Sequence, residues 1–313
     1  MSKLDLINKY LKGELRDIEF DDVILKKKIE ERFLRNIELG ASKSSKDKYT
    51  HYFVCLDSNM GIVNLFYINK IYSVDKYNYF SFEEVFFKKN ISLLLNYYNG
   101  FNSDRFFWEL SEQGQVLLMD FACNDFRFGH LCYDKIIESI QSGKMAKSLL
   151  MYTRPQKLGV LAIEMLASEK NQTIDWESAG IPIDPFYQRF CQEALYNENH
   201  DVVAEWLITL CDKHVEWSAL FGINTDEQSS TGYEIDMEIL LAWPFEYQAV
   251  KNFRARHGLT TPIIDHTLLR TPMAIEHRPD MVGWKQTMPA IYNQIIDDII
   301  TINPELKVIH TLF

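Results

Sequence analysis

The sequence predicts an all-α fold, a multi-helix, bundle-like body, and three observations carry that expectation. Apolar residues recur at three- and four-residue spacing along most of the chain, the period of one helix face. Helix-start signatures precede several of these runs, among them Ser81-Phe-Glu-Glu84 and Asp184-Pro185. The stretch richest in strand-favouring residues, 50–80, has no tight hairpin dipeptide to punctuate it.

Taken in order, Ser2 is placed to cap a short helix over 3–12, with Leu4, Ile7 and Leu11 on one face. Asp21 or Asp22 opens a second helix that runs to about Leu39 and stops near Gly40. Its Lys26-Lys27-Lys28 run is offset by Glu30 and Glu31 and reads as a solvated face. In 50–80, Leu56, Met60, Val63, Tyr67 and Ile71 follow helical spacing, with a few short strands the alternative that Tyr, Phe, Val and Ile would also suit.

Ser81 and Glu84 form a capping-box signature for a helix ending at Asn99-Gly100. Ser103 is expected to open the next, with a break at Gly114 and an interior helix over 115–123. Helices then follow over about 131–142, 144–152 and 156–169. Residues 171–184 contain Gly180 and Pro182 and few helix formers, so they read as a long loop or boundary. It separates an N-terminal helical region, 1–170, from a C-terminal one, 184–313, regions that can also pack as one continuous domain.

Past the boundary, Asp184-Pro185 starts a helix to about Tyr196, and Asn199 or Asp201 the next, to about Gly222. After a polar loop, a helix from about Glu234 meets Pro244, which must kink it or begin a new helix. The last predicted helix covers 289–301.

Composition narrows the function classes. The chain has 313 residues, 47% of them hydrophobic and 13% aromatic, which suits a large core and argues against disorder. Five scattered cysteines without a Cys-x-x-Cys pair point to reduced thiols and a cytoplasmic protein. The opening residues interleave charged and apolar side chains, so neither a secretory signal nor a membrane span is expected. A net charge of −11 argues against direct binding of nucleic acid or an anionic membrane.

That charge is concentrated. Between Glu193 and Glu246 stand twelve acidic residues and one basic residue, Lys213, so this stretch alone balances to the net charge of the whole chain. At 100° per residue from Asp201, Glu205 falls near 40°, Asp212 near 20° and Glu216 near 60°. Val203, Leu207, Leu210, Trp217 and Phe221 occupy the opposite side. One face is core, the other a carboxylate stripe whose like charges repel by a few tenths of a kcal/mol per i, i+4 pair. With Asp226, Glu227, Glu234, Asp236 and Glu238 continuing the excess, the nine carboxylates are the expected partner-binding residues, weighed against a merely solubilising helix face.

No constellation carries catalysis on sequence grounds. His214 falls on the apolar side of its helix and reads as a core histidine. Cys123, Asp125, His130, Cys132 and Asp134 cluster, but not at a usual zinc spacing. There is no nucleophile elbow, phosphate loop or dinucleotide fingerprint. Neither a cofactor nor a metal is expected, and an enzyme is not the leading reading.

His-Val-Glu-Trp-Ser-Ala-Leu-Phe-Gly-Ile at 214–223, Glu-Ile-Leu-Leu-Ala-Trp-Pro-Phe-Glu at 238–246, Arg254-Ala-Arg-His-Gly258, Ile263-Ile-Asp-His266 and Leu268-Leu-Arg-Thr-Pro272 form a connected pattern. Over about 201–273 it resembles bacterial immunity proteins carried beside interbacterial toxin genes, often of type VI secretion, and is nearest to the helical family paired with PoNe-type DNase toxins. The resemblance implies an all-helical protein that binds one cognate toxin and occludes its basic active-site surface. It assigns no individual residue. The alternatives are a metal-dependent hydrolase using Cys123, His130 and Cys132 or the His200–His214 region, and a general helical adaptor.

Overall fold

A computed structural model describes residues 2–14, 22–41, 43–58, 60–72, 81–98, 106–149, 154–219 and 234–313. Among the described residues the architecture is all-α and has no sheet; its extended contacts are two isolated bridges, Gln156 with Ile183 and Ser218 with Ile235. No helix among them is long and apolar enough to cross a membrane.

The chain divides into two compact units that interleave in sequence. One comprises Met1–Lys12 and Asp104–Arg278, the other Gly13–Ser103 and Pro279–Phe313. The loop expected as a boundary, 171–184, therefore lies inside the first unit. Its parallel bridge to Gln156 explains why: Gln156 N donates to Pro182 O and Asp184 N to Gln156 O, so the loop is stitched to the chain before it.

The first unit contains helices α1 (Lys3–Leu11), α6 (Leu110–Ala122), α7 (Arg127–Gln141), α8 (Lys144–Ser148), α9 (Leu158–Glu169), α10 (Pro185–Glu193), α11 (His200–Trp217) and α12 (Phe245–Arg256). Ser2 caps α1 in a reciprocal box with Asp5. Helix α6 is the centre: all but its first-turn Ser111 and Glu112 are buried, and it packs against α9 and α12. No break occurs at Gly114. A Cβ there would stand 2.2 Å from Gly159 N, so this glycine serves the close crossing of α6 and α9 rather than a bend. Residues 106–109 are not helical and Glu109 precedes α6; Ser103, the expected helix start, lies outside the described residues.

Pro244 starts a helix rather than kinking one. Residues 234–237 are not helical, Glu238–Leu240 make a single 3-10 turn, and α12 begins at Phe245, where the missing proline N–H costs nothing. Helix α12 ends with Gly258 at φ +73°, a left-handed conformation open to glycine at no steric cost.

The second unit holds α2 (Asp22–Ala41), α3 (Ser45–Ser58), α4 (Met60–Tyr72), α5 (Phe82–Tyr97), α13 (Met281–Thr287), α14 (Ala290–Ile302) and α15 (Ile309–Leu312). Residues 45–58 and 60–72 are thus helical, with 73–80 outside the described residues. Helix α5 is the core: all its residues except Glu83 and Glu84 are buried. Ser81 caps it through Glu84 N at 3.2 Å, but the expected box does not close, because Lys88 and Tyr292 hold the Glu84 carboxylate.

Candidate functional site

Helix α11 begins where Asn199 accepts hydrogen bonds from Asp201 N (3.0 Å) and Val202 N (3.4 Å), relieving two free amides of the first turn. Val203, Leu207, Leu210, Cys211, His214 and Trp217 are buried. On the other side, Asp201, Glu205, Asp212 and Glu216 are exposed, as the angular reading requires.

The stripe is not uniform. Glu216 meets Lys213 at 2.7 Å, and the Lys3 ammonium of α1 donates to the Glu216 carbonyl. Asp212 meets His266 Nε2 at 3.1 Å. Lys213 thus offsets the charge of Glu216 from within the chain, and His266 occupies the Asp212 carboxylate. Asp201 and Glu205 have no side-chain partner among the described residues. Field available to a cation is therefore concentrated at the N-terminal half of the helix.

A second segment completes this face. His200 Nε2 lies 2.8 Å from Thr260 Oγ1, so with the His266–Asp212 contact the loop after α12 is tied to α11 at both ends. Arg254 fixes its near end. Only 1% exposed, it donates from Nη1 to the Ala194 and Leu195 carbonyls and from Nη2 to those of Asn197 and Thr260, all at 2.8–2.9 Å. A planar fork with fixed donor directions suits four carbonyls in this way, and lysine would not. Between the two ties Ile263 stands 98% exposed, and Ile208 of α11 is 39% exposed.

Neither isoleucine was singled out by the sequence reading. Ile208 was within reach of it, since 100° per residue puts it near 340°, at the edge of the carboxylate stripe. Nothing in Pro262-Ile-Ile-Asp distinguishes the exposed Ile263 from Ile264, which is buried.

Of the remaining acidic residues that the structure describes, Glu234 is withdrawn from the surface and Asp236 and Glu238 are half-buried, which corrects the expectation that all of them are exposed binding carboxylates. Glu234 is 4% exposed: its Oε1 accepts from Ser111 Oγ (2.6 Å), Lys157 N (2.9 Å) and Leu158 N (3.0 Å), capping α9 from a distant segment. Burial pushes its carboxyl up, while Ser111 and Lys157 pull it down. Asp236 is half-buried and held by Gln115, which donates to its Oδ1 at 3.0 Å and accepts from its amide at 3.2 Å. Glu238 is half-buried at the 3-10 turn. Asp226 and Glu227 lie outside the described residues.

His214 belongs to a buried polar cluster. Its Nδ1 is 2.6 Å from Glu246 Oε2, its Nε2 3.1 Å from Leu241 O, and Tyr187 OH donates to Glu246 Oε1 at 3.4 Å. Every one of these side chains is occupied and inaccessible to a substrate. Cys123 and Cys132 are buried, burial pushes the Cys132 thiol well up, and His130 faces Glu169 at 3.1 Å. Among the described residues no three His, Cys, Asp or Glu side chains are grouped to hold a metal ion.

One carboxyl is tuned towards neutrality. Burial pushes Glu109 up to about 7, with the Glu234 charge adding to the shift and Arg154 opposing it. Its amide donates to Glu112 at 2.7 Å, so the residue serves the start of α6. Compared with family models, curated proteins and solved structures, the chain matches none.

Proposed function

We propose that the chain is a binding protein whose α11 face engages a basic protein surface, and that this partner is the toxin domain of an interbacterial antagonism system, neutralised in the cytoplasm by occlusion. The observation that carries the reading is that Ile208 of α11 and Ile263 of the loop tied to it are exposed, while the carboxylates of Asp201 and Glu205 have no side-chain partner among the described residues. Apolar anchors surrounded by charge are the usual anatomy of a protein-binding patch, and opposite fields raise association rates and select partners. The resemblance over 201–273 supplies the toxin as the partner class.

A growth-protection assay tests the reading. The C-terminal domain encoded by the adjoining gene, which this reading expects to be a basic toxin, is expressed in bacterial cells with and without the chain. Co-expression of the wild-type chain restores growth, and Asp201→Lys/Glu205→Lys with Ile263→Asp abolishes the protection while the protein accumulates to the same level. Toxicity unaffected by the wild-type chain rejects the immunity reading.

A further inference from the structure

The second unit contains a cavity of about 560 Å³, within the size range of small-molecule sites. Helix α5 places Glu84 and Lys88 four residues apart, on one face of the helix and both at the cavity. Lys88 is only 2% exposed, and its Nζ lies 2.9 Å from Glu84 Oε1. The same oxygen accepts a 2.6 Å hydrogen bond from Tyr292 OH. Phe33 of α2 and Tyr292 of α14 turn their rings to the ammonium, with centroids at 5.0 and 5.6 Å. Trp284 of α13 lies beside Tyr292, centroids 6.0 Å apart, and borders the cavity as well.

An ammonium has three donors, and Lys88 has one oxygen acceptor among the described residues. Ring faces attract a cation but accept hydrogen bonds less well than an oxygen. A ligand oxygen reaching Nζ gains a charge-assisted bond without burying a new charge, because the ammonium is already out of water. Charge selects the rest of the ligand. The lining holds Glu30, Glu84, Lys70 and Lys88, two of each sign, and Glu84 already matches Lys88. An anion would set a second carboxylate beside Glu84, and a cation would face Lys88.

We propose that this cavity binds an uncharged aromatic molecule bearing one hydrogen-bond-accepting oxygen, with the oxygen on Lys88 Nζ and the ring among Phe33, Trp284 and Tyr292. The inference is independent of the α11 face.

Equilibrium dialysis of the full chain against three probes of one shape tests it: acetylnaphthalene (neutral, with an acceptor), ethylnaphthalene (neutral, without one) and naphthoate (anionic). Acetylnaphthalene is retained at least about tenfold more tightly than either of the others, the factor a hydrogen bond to a charged group supplies. Lys88→Met/Glu84→Gln removes that preference and leaves ethylnaphthalene binding in place. Because that variant alters a buried pair, Thr287→Trp is the second arm. Thr287 is an exposed residue of the rim, so the larger ring obstructs the cavity without entering the core, and acetylnaphthalene binding falls at least about tenfold. Three results overturn the proposal: no retention of acetylnaphthalene by the wild-type chain, equal or tighter binding of ethylnaphthalene or naphthoate, or undiminished binding by Thr287→Trp.

Discussion

His214 Nδ1 lies 2.6 Å from Glu246 Oε2, and both side chains are completely buried. Leu241 O, 3.1 Å from Nε2, can only accept, so Nε2 carries a hydrogen. The contact joins α11 to α12 and so fixes the helix that carries the candidate face. Removing one member leaves the other buried and unmatched, a loss of about 3–5 kcal/mol for a buried pair. Glu246→Leu is therefore expected to lower the urea midpoint by a corresponding amount. His214→Leu/Glu246→Leu, with neither partner left polar, is expected to lose less than the two single variants combined.

His277 gives the fold a pH dependence with a definite sign. Burial, helped by the Arg278 charge, pulls its pKa down to about 4, from about 6.5 in the unfolded chain. The unfolded state thus binds a proton that the folded state refuses between those values. Stability from this group is complete above pH 6.5 and is lost as pH falls towards 4, by up to about 3 kcal/mol. Urea midpoints of the wild type and His277→Gln, compared at pH 7 and pH 5, should show a smaller drop in the variant. Equal drops would remove His277 as the cause.

Glu109 acts in the opposite direction. Raised to about 7 by burial first and Glu234 second, it holds its proton more tightly folded than unfolded, so its contribution is complete below about pH 4.5 and is lost as pH rises through 7. Relative to the wild type, Glu109→Gln should be more stable at pH 8 than at pH 5. The difference in urea midpoint between the two proteins, followed across that range, checks the sign.

These two titrations arise from contacts no local pattern announces, and the same divide separates what the sequence disclosed from what it did not. Helix α11 was legible in detail because its signal is local: an Asn cap, an apolar side and an acidic side repeat at a fixed angle. His214 was correctly turned inward by that same angle. Glu234 was misplaced because charge in a sequence reads as exposure, whereas its partners Ser111, Lys157 and Leu158 lie 76–123 positions away. Gly114 looked like a helix break because its reason, the backbone of Gly159, is also remote in sequence. The two units escaped notice because each is assembled from separated segments. Arg254 stands in a recognisable sequence pattern, but its role depends on four carbonyls that only the fold brings together.

The proposal that the α11 face recognises a basic protein is tested most directly by the association rate of the purified chain with the toxin domain that the growth-protection assay identifies, at low and at physiological salt. Asp201→Lys/Glu205→Lys is expected to slow association at least about tenfold at low salt and to flatten its salt dependence, because electrostatic steering is screened within about 10 Å at 0.1 M ionic strength. Ile263→Asp, by contrast, is expected to speed dissociation, since an apolar anchor acts mainly after encounter. Rates and salt dependence unchanged in the charge-reversed chain would contradict the account and leave the stripe a solvated helix face.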